Sequence, residues 1–147
     1  PTWRKNMVKT PVLLIDLNVL LDVLQARQPF YQASAQVLAR IESGKAVGYL
    51  AAHSFTTLFY LIEKSSSASQ AKAHLTNILQ ILRVAPVDQG TIEQALNLVL
   101  PDFEDAVQMI CALQCKADYL VTRDPKGFQP ALLPVVQPVE LIQILDH

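Results

Sequence analysis

The sequence carries no glycine-rich phosphate loop: neither a Walker signature nor a dinucleotide-binding fingerprint occurs among its 4 glycines. No Ser–His or Cys–His nucleophile pattern stands out either. No apolar run reaches the length of a membrane span, because Asp, Gln or Lys interrupts each one. The run that begins at Pro11 is broken by Asp16, so no signal-peptide pattern is expected at the N-terminus. Met7 is taken as the start of one folded domain, residues 7–147, with "PTWRKN" (1–6) as a tail or upstream remnant. Cysteine is scarce as well. Cys111 and Cys115 form neither a zinc motif nor a disulfide framework, and at this spacing on a helix they read as small core residues. A reducing, cytoplasmic setting with no membrane partner is the expectation.

Charge is the most informative shortage. Charged residues make up 17% of the chain, and 13 acids against 12 Lys and Arg leave a formal net charge of −1. A protein that grips duplex nucleic acid through its phosphates is usually basic. Any nucleic-acid contact made by this chain is therefore local, brief or bridged by a cation. Lys5, Lys9, Arg27 and Arg123 are candidate phosphate contacts, with scattered surface charge as the default reading.

What the chain does have is apolar residues, at 51%, in short blocks. "PVLLI" reads as a buried strand ending at Asp16, followed by a short helix from Asn18 to Gln25. Phe30, Ala33, Val37, Leu38 and Ile41 recur at helical spacing, and Gly44 stands where that helix should stop. "AVGYLA" is strand-like. "SFTTLFYLIEK" returns to a helix with Phe55, Leu58, Phe59 and Ile62 on one stripe, a core stripe rather than a stacking platform, with Tyr60 to one side. After a serine-rich turn, Ala71, Leu75, Ile78, Leu79 and Leu82 form another stripe. "VAPV" is a short strand, and Ile92, Ala95, Leu96 and Val99 mark a helix up to Pro101. Asp102 to Lys116 reads as a helix with Phe103, Ala106, Val107, Ile110 and Cys111 inward. "DYLVT" and "LLPVVQ" are strands and "PVELIQIL" a closing helix. Strands alternating with helices specify an α/β protein, a mostly parallel sheet covered on both faces.

In such sheets ligands bind beyond the carboxyl ends of the strands. Asp16 ends one predicted strand and Asp124 lies just past another. Asp102 and Asp105 open a helix that is apolar nearly all round after its first turn. Each acid has an ordinary explanation: Asp102 as an N-cap, Asp105 as its N3 partner, Asp16 and Asp124 as turn residues, and Asp22 as a solvated helix residue. The topology nevertheless brings Asp16, Asp105 and Asp124 to one edge of one sheet. Gathered carboxylates raise one another's pKa unless a cation neutralises them, and oxygen-only ligation selects magnesium or manganese.

With "LLIDLNVLLD", "LPDFEDAVQ" and "ADYLVTRDPKGF" in that order, the sequence resembles the PIN-domain nucleases, many of which look like the toxin half of bacterial toxin–antitoxin pairs. The resemblance covers nearly the whole chain after Met7. It implies a three-layer α/β/α sandwich and Mg2+- or Mn2+-dependent cleavage of RNA by a metal-activated water. Carried over by motif, Asp16, Asp105 and Asp124 are catalytic metal ligands assisted by Asp102, with Asn18 and Thr122 in support. It also implies a homodimer and an antitoxin partner.

One departure weakens the match. Where the family commonly carries a further acid, on the helix after the second strand, this chain has Thr57. Glu63 is roughly 120° around that helix and cannot replace it. His53, one turn earlier, offers a neutral ligand or phosphate contact, although a cap or surface role is its default. A catalytically degenerate RNA- or protein-binding module is therefore the alternative, and a metal-free interaction domain stands third.

Overall fold

A computed structural model of the chain describes residues 9–147. Lys5, Met7 and the 1–6 segment lie outside the described residues. Val12–Ile15 (β1) is the strand around which the rest is arranged. Side chains alternate along a strand, so Leu13 and Ile15 enter one apolar cluster while Leu14 enters the other. Because both faces of β1 are covered, "VLLI" has no polar alternation to show. In chain order there follow Leu17–Leu24 (α1), Tyr31–Glu42 (α2), Val47–Ala51 (β2), Ala52–Ser65 (α3), Ala68–Ile81 (α4), Arg83–Ala85 (β3) and Gln89–Leu96 (α5). Phe103–Gln114 (α6), Tyr119–Val121 (β4), a 3-10 turn at Pro125–Phe128, Val135–Val136 (β5) and Pro138–Leu145 (α7) complete the described chain.

The five strands lie in the order β3-β2-β1-β4-β5, and every pairing is parallel. One apolar layer holds Leu20 of α1, Val37 of α2, Leu58 of α3, Ile78 of α4 and Leu141 of α7 against one face of the sheet. The opposite layer holds Ala95 of α5, most of α6 and Phe128 of the 3-10 turn. The expected α/β/α sandwich with a parallel sheet is the fold found. The order also reverses between β1 and β4, which makes their carboxyl ends the topological switch point where α/β sheets bind ligands.

α6 is the helix most enclosed. All residues from Ala106 to Ala112 are buried, so its first turn does open out of the protein interior, as its apolar circumference implied. Several expected stripe positions are nevertheless exposed. α5 ends at Leu96, which is 67% exposed, and Val99 falls in the following loop at 84%. Ile92 and Leu79 also face outward, because α5 packs chiefly on α6 and α4 chiefly on α3. Phe103, expected inward, is the first residue of α6 and stands clear of the core. α6 stops at Gln114, short of the expected Lys116, which adopts a left-handed φ of 57°.

Gly48 of β2 shows how closely one layer is packed. A Cβ placed there would meet Leu82 Cδ2 at 2.6 Å and Ile41 Cδ1 at 2.7 Å, and both of those side chains are buried. Gly48→Ala is therefore expected to destabilise the fold by about 1–3 kcal/mol through overpacking. Denaturant unfolding measures this; an unchanged midpoint would contradict the packing described.

Candidate metal centre

Asp16 follows β1 directly, and its N–H donates to the carbonyl of Val121 at 2.9 Å, tying the end of β1 to the end of β4. It occupies the N-cap position of α1, yet its side chain makes no capping bond. The carboxylate reaches across the sheet end instead. Oδ2 accepts from Thr122 Oγ1 at 2.9 Å and Oδ1 accepts from Gln108 Nε2 at 3.2 Å. The side chain is buried, and burial pushes its pKa above the usual range, against the opposing pull of Thr122, Gln108 and Asn18.

Asp105 is presented by the start of α6. Asp102 caps that helix, its Oδ1 accepting from the Asp105 N–H at 3.0 Å. Asp102 is thus the N-cap, as its ordinary explanation has it, with Oδ1 in the capping bond and Oδ2 outside it. Asp105 makes no return bond to the cap. Its Oδ1 accepts from Gln108 Nε2 at 3.4 Å, so one amide bridges Asp16 and Asp105. Burial, followed by the charges of Asp102, Asp16, Glu104 and Asp124, raises the Asp105 pKa to about 7.

Asp124 is set by the loop after β4, where its N–H donates to Thr122 Oγ1 at 3.1 Å. Thr122, wholly buried, thereby orients both Asp16 and Asp124. The 3-10 turn then brings Gly127 between two acids. A Cβ there would sit 3.4 Å from Asp105 Oδ2 and 3.6 Å from Asp124 Oδ2. Asp16, Asn18, Phe30, Arg123 and Asp124 line a cleft of about 360 Å3 at this rim.

The acids approach in pairs, Asp16 with Asp105 through Gln108 and Asp105 with Asp124 around Gly127. Among the described residues no group of three His, Cys, Asp or Glu side chains is drawn together tightly enough to hold an ion as it stands. Like charges separate without compensation. Two features suit a divalent cation here: the Asp105 pKa near 7, which marks a place where negative charge lacks compensation, and the buried Gln108 Oε1, which has no hydrogen-bond partner. The donor set is all oxygen, the kind that hard cations take.

Other expected contributors fall elsewhere. Thr57 donates to the carbonyl of His53 on its own helix at 3.3 Å, and no hydrogen bond joins it to the aspartates. His53 is neither a surface residue nor a cap: its ring nitrogens are buried beside Glu104, and burial lowers its pKa against the opposing charge and backbone of Glu104. Cys111 is a core residue as expected, and burial raises its pKa to about 12, whereas Cys115 is the half-buried C-cap of α6. Asp22, expected in solvent, is completely buried, with Arg123 Nε 3.5 Å from its Oδ2. Neither this pair nor the Gln108 bridge was anticipated from the sequence. The signals were present: Asp22 is the lone acid in the octet "LNVLLDVL", and Gln108 lies one turn from Asp105.

A parallel α/β/α architecture with an acidic rim at the switch point of its sheet defines the class of protein. The sequence matches the PIN domain over residues 12–126, and the chain belongs to that family. No curated protein sequence matches it significantly. Among solved structures, it is similar to VapBC2 from Rickettsia felis bound to a DNA fragment from its promoter, with TM-score 0.66 and 15% identity over 86% of this chain and 98% of that one. VapC20 of Mycobacterium tuberculosis, a Sarcin-Ricin loop cleaving toxin, gives TM-score 0.61 and 16% identity over 74% and 86%. FitAB bound to the IR36 DNA fragment gives 0.62 and 19% over 86% and 94%. At these identities the likeness is one of fold.

A titration follows from Asp105. Its folded pKa of about 7 lies above the ordinary 3.8, so between those values the folded chain holds a proton that the unfolded chain has released. Stability therefore falls as pH rises through this window. In metal-free buffer the thermal midpoint is expected to be higher at pH 5 than at pH 8, with a smaller difference in Asp105→Asn. Circular dichroism melts across pH test this; equal pH dependence in the two proteins would contradict it.

Proposed function

We propose that this chain is a divalent-metal-dependent endoribonuclease of PIN type, the toxin-like member of a toxin–antitoxin pair. The observation that carries the reading is the shared amide of Gln108, which holds Asp16 and Asp105 side by side at the switch point with Asp124 just beyond Gly127. Asp16, Asp105 and Asp124 would hold magnesium or manganese, and Asp102 supports Asp105 by capping its helix. A bound ion of this kind activates a water for in-line attack and offsets charge on the phosphate.

The chain's own residues prepare for that ion. Thr122 fixes the Asp16 carboxylate and the Asp124 backbone with one hydroxyl, and Asn18 favours the charged form of Asp16. An acid pocket and an acid substrate repel, so a cation between them lets a protein of net charge −1 engage RNA. RNA as substrate is supported by the likeness to VapC20, a Sarcin-Ricin loop cleaving toxin, and an antitoxin partner by the likeness to VapBC2 and FitAB. A homodimer belongs to the same proposal. No helix among the described residues is long and apolar enough to cross a membrane.

The second reading, a binding module that has lost catalysis, is favoured by Thr57, whose hydroxyl is turned onto its own helix where the family commonly has an acid. Asp16→Asn distinguishes the two. Under the nuclease reading it abolishes manganese-stimulated RNA cleavage and weakens manganese binding by calorimetry at least about tenfold. Cleavage unchanged by the substitution refutes the assignment, and RNA binding without turnover in the unaltered chain favours the module.

A further inference from the structure

Arg123 stands between the two acidic-rim residues Thr122 and Asp124, yet its side chain turns away from them. Its guanidinium lies over the Phe30 ring, 4.3 Å from the centroid, and its Nε faces the buried Asp22 carboxylate. Among the described residues no other ion pair or hydrogen bond engages that side chain. A guanidinium has five donors in a rigid fork, so the terminal nitrogens are left for something else. Phe30 and Arg123 line the rim cleft on one side and a second hollow of about 250 Å3 on the other. The hollow is walled largely by apolar groups, with Pro138 and Val139 of α7 opposite Phe30. Two polar side chains interrupt it, Gln137 and Ser34. Ser34 is wholly buried, its hydroxyl facing the Asp22 carboxylate.

We propose that this hollow is a subsite for one unstacked nucleobase of a single-stranded RNA, and that Arg123 binds the phosphate linking that nucleotide to the one at the acidic rim. The proposal rests on RNA being the substrate, and four features carry it. The volume is below the roughly 300–1,000 Å3 typical of drug-sized ligands, which suits a single flat ring system. Apolar walls with a few polar groups are how proteins seat unstacked bases, stacking them on aromatic or guanidinium planes. The Gln137 amide supplies a polar group for a base edge. The shared Phe30–Arg123 wall makes the hollow adjacent to the rim, so a strand crossing the rim passes beside it. Asp22 and Phe30 hold the guanidinium in place, which makes Arg123 a fixed fork for a phosphate oxygen rather than a mobile surface charge.

The test is binding of a fluorescent single-stranded RNA oligonucleotide in calcium, a hard cation that offsets the acidic rim while activating water poorly. Arg123→Gln alone leaves Asp22 buried and unpaired, which endangers the fold. The Asp22→Asn/Arg123→Gln double variant removes both charges together. Val139→Trp fills the hollow from an exposed position on α7. The double variant is expected to lower the magnitude of the salt slope of log affinity by about 0.7, the value for one phosphate of a single strand. Val139→Trp is expected to weaken binding at least about fivefold with the salt slope unchanged, as loss of one stacked base does. An oligonucleotide with abasic positions should bind both Val139→Trp and the unaltered chain equally. Full affinity in Val139→Trp overturns the base subsite, and an unchanged salt slope in the double variant overturns the role of Arg123. If the unaltered chain binds no RNA, the proposal fails whatever the cleavage assay gives. If these effects appear without cleavage, the subsite stands and the nuclease reading falls.

Discussion

The buried carboxylate of Asp16 is the constraint on which the rest depends. A charge with little access to water is costly unless it is hydrogen-bonded or neutralised. Here it is answered by Thr122 from the end of β4 and Gln108 from α6, while the Asp16 backbone bonds to Val121. The end of β1 is thereby tied at one point to two elements 92 and 106 positions further along the chain. The parallel sheet makes that possible, because β1 and β4 are neighbours whose connections leave in opposite directions. What two strands and a helix share there is a crevice lined with acid.

The same accounting explains why Asp105 and Asp16 differ. Asp16 receives two side-chain hydrogen bonds, whereas Asp105 shares an amide and faces four other acids. Its carboxyl consequently holds its proton to near neutral pH, and it is the group whose state responds most to an arriving cation. The second buried acid, Asp22, is treated differently again: an arginine faces it, with the Ser34 hydroxyl alongside. Two buried aspartates on one short helix thus serve opposite signs of partner, one an acidic rim and the other a fixed guanidinium beside it.

Much of this was legible in the sequence, for physical reasons. β1 and α6 announce themselves because elements buried on every side must be apolar throughout, and the acids at their ends then stand out. The N-cap role of Asp102 could be read from Pro101 and from its place one turn before Asp105. What escaped was tertiary. Phe103 and Val99 are as apolar as their buried neighbours, and only the angle at which α6 enters and the early end of α5 put them in solvent. Asp22 was taken for a solvated residue because its partner lies a hundred residues on in the loop after β4. Gln108 carries no charge to draw attention, yet its amide spans both acids. Thr57, read as a departure, donates its hydroxyl to the His53 carbonyl of its own helix.

The central claim is that the acids at the switch point are held close in order to share one divalent cation. Anomalous diffraction from crystals soaked in manganese tests it most directly. The account predicts a manganese peak contacting carboxylate oxygens of Asp16, Asp105 and Asp124. A cleft without manganese at saturating concentration, its three carboxylates still apart, would contradict it.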